Sequence, residues 1–346
     1  MVDESMPFVS IIMPIRNEAG FIERAIRSIL ENDYPPDKME ILVVDGMSND
    51  GTREIVERLR EQDSRVSLYN NEQKIVPTAM NIGIANTKGR VIIRVDGHVV
   101  VAEDFIKESV RQLQNHPEAW CVGGSIETVS STYIGKAIAS AMSTPISVGN
   151  AMFRLGNYEG FVDTIAFGAY WRWVFDKIGL FDEELVRNQD DEFNLRIILA
   201  GGKIWMSKSI RSTYFSRGSL SKLWKQYFQY GFWRIRTLQK HYRPGAVRRF
   251  VPLLFVLSFI ILISAGFFWY GFWWLLFIEL TLYVIGLVYG SVDVGRKSGW
   301  QYAPLAPVVF AILHFGYGIG SLWGVIRFVV LRGKGMQKPE DVKLSR

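Results

Sequence analysis

Apolar positions follow two different patterns along the chain. In the first two thirds, short β-branched runs alternate with stripes at helical spacing. Phe8–Met13 is such a run, and Ile22, Ile26, Ile29 and Leu30 then share one face of a predicted helix. Ile41–Val44, ending at Asp45, is the next strand. A helix opening at Asp50-Gly51-Thr52 carries Ile55, Val56 and Leu59. Val66–Tyr69 and Val91–Val95 are further strands, with a helix over about Pro77–Ala85 between them. This alternation predicts an α/β fold, a mostly parallel sheet with helices on both faces. Ligands of such sheets bind beyond the carboxyl ends of the strands. Asn17, Glu18, Asp45, Asp50, Asp96 and His98 all fall there.

The second pattern is unbroken. From Phe250 to Val292 almost every residue is apolar, and Glu279 is the one acid. About 20 apolar residues cross a bilayer, so this run is long enough for two spans. Trp269-Tyr270-Gly271 offers an aromatic interfacial turn between them. Ala303–Leu331 is long enough for a third, tilted span, with Pro304 and Pro307 in first turns that tolerate proline. Gly316, Gly320 and Gly324 mark a face on which another helix packs closely. A buried hairpin of a soluble protein is the competing reading, and so long an apolar run argues against it. Ser219–Tyr242 is amphipathic, alternating Leu220, Leu223, Trp224, Tyr227, Phe228, Phe232 and Trp233 with Lys222, Lys225, Arg234 and Arg236. Such a helix before a span is expected in the membrane interface, the alternative being a core helix.

Arg243, Arg248 and Arg249 precede the first span, Arg296 and Lys297 follow the second, and both clusters are expected on the cytosolic side. Three spans would then place Arg332, Lys334 and Lys338 outside, against the same rule. Either the last segment is re-entrant or broken, or the rule is violated here.

Composition narrows the class. A length of 346 residues fits two domains. Hydrophobic residues at 49% exclude a disordered or collagen-like chain. Forty Lys and Arg against 34 Asp and Glu give +6, which excludes a strongly acidic protein and does not require nucleic acid. Cys121 is the only cysteine, which excludes a disulfide framework and a Cys-rich zinc site and fits a cytosol-facing chain. No basic segment followed by an apolar core opens the chain, so no signal peptide is expected.

Three constellations carry candidate chemistry. Asp96-Gly97-His98 ends a strand, and its outer side chains share a face on an extended chain. A carboxylate and an imidazole there can hold Mg²⁺ or Mn²⁺ against a diphosphate, or simply form a polar turn. Asp45 opens a loop, Asp45–Thr52, in which its carboxylate can accept hydrogen bonds from a base or ribose; helix capping accounts for Asp50. Asn188-Gln189-Asp190-Asp191-Glu192 crowds three acids at a helix start. The helix dipole favours acids there, and crowding also raises a carboxyl pKa toward that of a general base.

Together these residues resemble glycosyltransferase family 2 over roughly residues 7 to 235. Pro14-Ile15-Arg16-Asn17-Glu18 looks like the family's first donor-binding loop, and Asp45 matches its nucleoside-contacting acid. Asp96-Gly97-His98 stands in place of the Asp-x-Asp metal motif. Gln189-Asp190 falls where the family has Glu-Asp, whose Asp is the catalytic base; Asp191 competes for that role, and register favours Asp190. Gln229-Tyr230-Gly231-Phe232-Trp233 looks like Gln-x-x-Arg-Trp, with Arg234 in a position to supply the missing cation. Asn188–Glu192, Gln226–Gly231 and His314–Gly318 are similar to exopolysaccharide glucosyltransferases of the succinoglycan type.

The resemblance implies a GT-A-like fold and an inverting, metal-dependent glycosyltransferase using Mg²⁺ or Mn²⁺. Donor contacts would come from Pro14, Arg16, Asn17, Glu18, Asp45 and Asp96, with Gln229, Trp233 and Arg234 on a loop that closes over the nucleotide. Phe167, Gly168, Tyr170 and Trp171 would line the acceptor site. The donor would be a nucleotide-sugar of the UDP-glucose or GDP-mannose type, and the acceptor a polyprenyl-diphosphate-linked saccharide. Too few spans are present for a translocation channel, so one sugar per acceptor is expected. The chain then divides into a cytosolic catalytic domain over 1–215, an interfacial helix over 216–245, a plasma-membrane multi-pass region over 246–332 and a basic tail over 333–346. Two rivals stand: a polyprenyl-phosphate sugar synthase, and a non-catalytic membrane scaffold with a degenerate transferase domain.

Overall fold

The computed structural model describes residues 6–331 except 150, 157, 217 and 243–246. Arg243, Arg332, Lys334 and Lys338, invoked above for membrane sidedness, lie outside the described residues, as does the tail over 333–346. The chain forms two compact units. One holds the chain through Glu127 together with Gly156–Phe215, and the other holds Thr128–Leu155 and the chain from Ser216.

The first unit is built on a sheet. Its strands in chain order are β1 (Val9–Ile15), β2 (Met39–Asp45), β3 (Val66–Asn70), β4 (Val91–Arg94), β5 (Val99–Val101), β6 (Ala119–Val129), β7 (Gly160–Val162), β8 (Ala169–Trp171) and β9 (Lys203–Phe215). Their spatial order is β3-β2-β1-β4-β8-β6-β9-β5, with β7 on β9. The first four are mutually parallel, as the apolar runs predict. All seven residues of β1 are buried, the mark of a parallel strand covered on both faces. Helices Ile22–Leu30, Thr52–Gln62 and Val76–Asn86 make the crossovers, within a residue or two of the expected bounds. Beyond β4 the sheet continues antiparallel, β8 lying against both β4 and β6, and β5 against β9. Register brings Ile15 opposite Asp45, Asp45 opposite Asn70 and Ile12 opposite Arg94, so the loops after β1, β2 and β4 share one edge.

Two features lie deep in this unit. Cys121 on β6 is fully buried opposite Tyr170 on β8; burial pushes its thiol well above the ordinary range, outweighing the opposing hydrogen bond with Tyr170. Gly124 on β6 sits so close to β9 that a Cβ there would stand 1.6 Å from the Ile210 carbonyl oxygen.

The second unit is helical. Among the described residues three helices are long and apolar enough to cross a membrane, over Arg248–Gly266, Gly271–Ser298 and Ala303–Val330. The first two form a hairpin in which Ser258 Oγ donates to Glu279 Oε1 at 2.5 Å and Phe255 packs on Tyr283. Its turn, Phe267–Tyr270, is widely exposed. The third apolar helix, Ala306–Gly324, ends in a π-turn over Val325–Val330. His314 on it links the Tyr283 hydroxyl at 3.1 Å and the Ile146 carbonyl at 2.8 Å. The amphipathic segment is a continuous helix, Leu220–His241. It packs on the small-residue face anticipated from Gly316, Gly320 and Gly324: a Cβ at Gly320 would meet the Phe228 carbonyl oxygen at 2.1 Å.

The β6–β9 approach generates a stability prediction. Gly124→Ala forces two strands apart and should cost about 3 kcal/mol, the upper end for overpacking. Gly20→Ala, with nothing within 4 Å of the added carbon, serves as the control. Thermal unfolding of the two variants should show a clear drop for Gly124→Ala alone.

Candidate active site

The loops after β1 and β2 are tied together by side chains acting as backbone partners. Asn17 N–H donates to Ser48 Oγ at 2.8 Å, and Asn49 N–H to Asn17 Oδ1 at 3.0 Å. Glu18 N–H donates to Thr52 Oγ1 at 2.8 Å, and Ala19 N–H to Asp50 Oδ2 at 3.2 Å. Burial would raise the Asp50 carboxyl, but bonds from Thr52 and Ala19 outweigh it and hold its pKa below the ordinary range. Its role is local structure, as capping predicts. Asn17 and Met47 adopt left-handed backbone to make these turns, and Phe167 and Asn188 do the same in the other loops of this unit.

Asp45 is fully buried at the end of β2, where it accepts from Ser48 N–H and from Ser48 Oγ, the latter at 2.5 Å. Arg53 stands 3.6 Å from its other oxygen. The Arg16 side chain lies over Gly46, and its Nε is buried with no hydrogen-bond partner. A buried donor of that kind is costly unless something accepts from it. Pro14 lies within β1, opposite Val44, rather than in the loop.

The centre of the site is a cation that the sequence reading did not single out. Arg94, the last residue of β4, is 6% exposed. Its Nε donates to Asp96 Oδ1 at 3.0 Å, and its Nη1 lies 3.7 Å from Asp190 Oδ2. The structure thereby brings Asp96 and Asp190 together across 94 positions of chain. Asp190 is held by the helix Gln189–Leu199, which Asn194 anchors through bonds to Thr164 Oγ1 and the Ile165 carbonyl. Desolvation raises the Asp190 carboxyl above its ordinary range; the Arg94 charge opposes this and the Asp191 charge adds to it. Asp191 N–H donates to Asp190 Oδ1. Glu192 and Arg196 form a buried i,i+4 pair that braces the helix against the Ile178 and Leu180 carbonyls. A lone Arg in the otherwise apolar run Val91–Val95, two residues before Asp96, was the available sequence signal.

His98 Nδ1 faces buried Glu18 Oε1 at 3.0 Å. A carboxylate accepts, so Nδ1 donates to it, and Nε2 is the ring nitrogen turned toward any ligand. This is the carboxylate–histidine arrangement that orients a metal-ligating imidazole. Gly97 allows the close approach: a Cβ there would stand 2.9 Å from Ile15 and 3.1 Å from Glu18. Among the described residues no group of three or more His, Cys, Asp or Glu could hold a metal. Asp96, whose two oxygens both accept from Arg94, and His98 offer a carboxylate and an imidazole, donor types that a hard divalent ion takes together with phosphate and water oxygens.

Other expected residues sit elsewhere. Tyr170 is 2% exposed, packed edge-on against Phe175 and Phe193, so it offers no face to a sugar. Trp171 pairs with Val91, at the opposite end of β4 from Arg94. Phe167 and Gly168 are nearer, the Gly168 carbonyl accepting from Arg94 N–H at 3.1 Å. Gln229, Trp233 and Arg234 lie on the continuous helix Leu220–His241 and not on a closing loop; Trp233 and Arg234 are buried within the second unit, Trp233 against Phe328. Unbroken helical spacing of its large side chains explains why no loop forms there.

Removing the shared cation should destabilise the site. Arg94→Met strands two carboxylates, one of them buried, and should cost about 3–5 kcal/mol, as breaking buried pairs does. Urea unfolding at neutral pH measures this.

Residues 10–179 match the family model for glycosyl transferase family 2. The chain is 27% identical over 329 residues to the dolichyl N-acetyl-alpha-D-glucosaminyl phosphate 3-beta-D-2,3-diacetamido-2,3-dideoxy-beta-D-glucuronosyltransferase of Methanococcus voltae, covering 93% of this chain and 98% of that protein. It is 28% identical over 316 residues to the succinoglycan biosynthesis protein ExoA of Rhizobium meliloti, covering 90% and 92%. In fold it is similar to a mannosyltransferase from Pyrobaculum calidifontis solved with GDP-Man and Mn²⁺, at a TM-score of 0.59 and 18% identity over 92% of this chain and 88% of that one. The GT-A-like fold is therefore present, the chain carries a glycosyltransferase family 2 domain, and it is a glycosyltransferase.

Proposed function

We propose that the protein transfers one sugar, with inversion, from a nucleotide-sugar to a hydroxyl of a polyprenyl-diphosphate-linked saccharide, at the cytosolic face of the plasma membrane, in exopolysaccharide or envelope glycan synthesis. The observation that carries this reading is the Asp190–Arg94–Asp96 linkage at the carboxyl ends of the parallel strands. It sets a carboxylate suited to proton abstraction beside the acid expected to face the donor's diphosphate. The apolar helices and a relative whose name specifies a dolichyl-phosphate-linked acceptor support the lipid-linked acceptor. A donor of the UDP-glucose or GDP-mannose type rests on the family resemblance and the mannosyltransferase solved with GDP-Man.

In this mechanism the loops after β1 and β2 bind the nucleotide. Arg16 Nε donates to it, and Asp45 accepts from the nucleoside in exchange for its bond with Ser48. Asp96 and His98 would hold Mg²⁺ or Mn²⁺, which supplies charge neutralisation to the diphosphate leaving group. Asp190 takes the acceptor hydroxyl proton while the oxygen bonds to the anomeric carbon. The bond from that carbon to the diphosphate breaks, its electron pair leaving with the phosphate. Desolvation raises the Asp190 pKa toward working pH, and the Arg94 charge opposes it, favouring the ionised carboxylate that a base must be.

Four outcomes test the reading. Asp190→Asn should lose about 10²–10⁴-fold in kcat, the usual worth of a general base, and Asp191→Asn far less; near-full activity in Asp190→Asn sinks the assignment. The base works ionised, so kcat/KM should fall as pH drops through a pKa above the ordinary aspartate range. Arg94→Gln removes the charge that lowers that pKa and should move the acid limb to higher pH. In a thermal-shift panel of UDP-, GDP- and dTDP-sugars with Mg²⁺, Mn²⁺ or EDTA, one nucleotide class should stabilise the protein in a metal-dependent way. The gain is about 2.7 kcal/mol at a hundred times the dissociation constant. Product analysis separates an elongated lipid-linked saccharide from the mild-acid-labile monosaccharide phospholipid of a polyprenyl-phosphate sugar synthase.

A further inference from the structure

The helix Leu220–His241 and the third apolar helix run side by side from their first turns to their last. Leu223 and Tyr227 share a buried cluster with Ala306, Val309 and Leu313. Further along, a Cβ on Gly316 would meet the Trp224 carbonyl at 3.5 Å, one on Gly320 the Phe228 carbonyl at 2.1 Å, and one on Gly324 the Phe232 carbonyl at 2.7 Å. At the far end Gln239 Nε2 donates to the Phe328 carbonyl at 3.0 Å, and Arg236 lies over the Phe328 ring. Four residues of advance on one helix match four on the other, so the axes are close to parallel. Helices joined in this way cross a bilayer together or not at all. Leu220–His241 carries Lys222, Lys225, Arg234, Arg236 and Lys240 along its 22 residues and leaves no apolar stretch able to cross.

The hairpin gives an independent measure of depth. Ser258 pairs with Glu279 and Phe255 with Tyr283, which sets Pro252 level with about residue 286 at one residue of descent per residue of ascent. The third helix meets this hairpin from its base up to about the level of Phe259. Phe310 lies against Gly290, His314 against Tyr283, Phe315 against Phe255 and Phe259, and Gly318 against the Pro252 carbonyl. From Phe310, against Gly290, to Gly318, against the Pro252 carbonyl, it passes from one leg to the other on a strongly tilted course, gaining about four residues of hairpin height over eight of its own.

We propose that the hairpin alone crosses the membrane. The third apolar helix lies across its base in the interface and forms one membrane-surface platform with Leu220–His241. The exposed apolar stripe Val308, Ile319, Trp323 and Val330 enters the acyl layer, and exposed cations such as Lys222 and Lys240 meet lipid phosphates. Two crossings return the chain at Leu331 to the side of Lys222, so the basic residues Arg332, Lys334 and Lys338 follow the charge rule instead of breaking it.

The test uses the full chain in bacterial cells and a membrane-impermeant maleimide. Cys121 is buried and gives no background. Single cysteines enter at Lys222, at Phe268 in the exposed hairpin turn, and at Leu331. Phe268→Cys should label on intact cells, and Lys222→Cys and Leu331→Cys only after permeabilisation. Labelling of Leu331→Cys on intact cells alongside Phe268→Cys overturns the proposal, as does a Phe268→Cys that behaves like Lys222→Cys. Carboxyl-terminal fusions guard against a misfolded variant: green fluorescent protein should fluoresce and alkaline phosphatase should be inactive, and the reverse pair of results refutes two crossings. None of these readouts depends on transferase activity.

Discussion

A guanidinium buried between two carboxylates organises the catalytic unit. Arg94 closes the last of the four parallel strands and reaches both the acid that follows that strand and the acid that opens the helix Gln189–Leu199. Those two acids come from distant parts of the chain, and nothing in their own neighbourhoods would bring them together. Burying a guanidinium is costly unless it is paired, and burying carboxylates equally so. Each partner therefore makes the others tolerable, and the strand end, the loop Asp96–His98 and the helix start are held as one arrangement. The same cation tempers the desolvation of Asp190, so one side chain fixes both the geometry and the protonation of the proposed base.

The loops after β1 and β2 are held differently, by short bonds between side chains and backbone N–H groups. Ser48, Asn17, Asp50 and Thr52 bond loop to loop, and the two loops consequently move as a pair. Left-handed backbone at Asn17 and Met47 is sustained by those bonds. Asp45 is satisfied by Ser48 before any ligand arrives, whereas Arg16 Nε is not satisfied by anything. The two loops thus combine a pre-paired acceptor with an unpaired donor.

Much of this was legible in the sequence because it is local. The β-branched runs gave β1 to β4 and their helices nearly to the residue, and the placement of polar residues just after each strand located the site. The misses are all long-range. Arg94 looks like one charge in an apolar strand until Asp190 folds onto it. Tyr170 and Trp171 read as a sugar platform by composition, but strand alternation turns Tyr170 into the core, and antiparallel pairing carries Trp171 to the far end of the sheet. Gln229–Trp233 matched a motif whose spacing suggested a loop, yet the helical stripe through Leu223, Tyr227 and Trp233 prevailed because a glycine face was waiting to receive it.

The solitary cysteine has a practical consequence. Cys121 is sealed between β6 and β8 with its thiol pushed far above the range in which thiolate forms. Alkylating agents and disulfides react with thiolate, so this buried thiol is protected from both while the chain is folded. It can be purified and stored without a reducing agent. Dithiols chelate manganese and zinc, so leaving them out keeps the free-ion concentration defined, and a metal titration of the transferase reports on the protein alone.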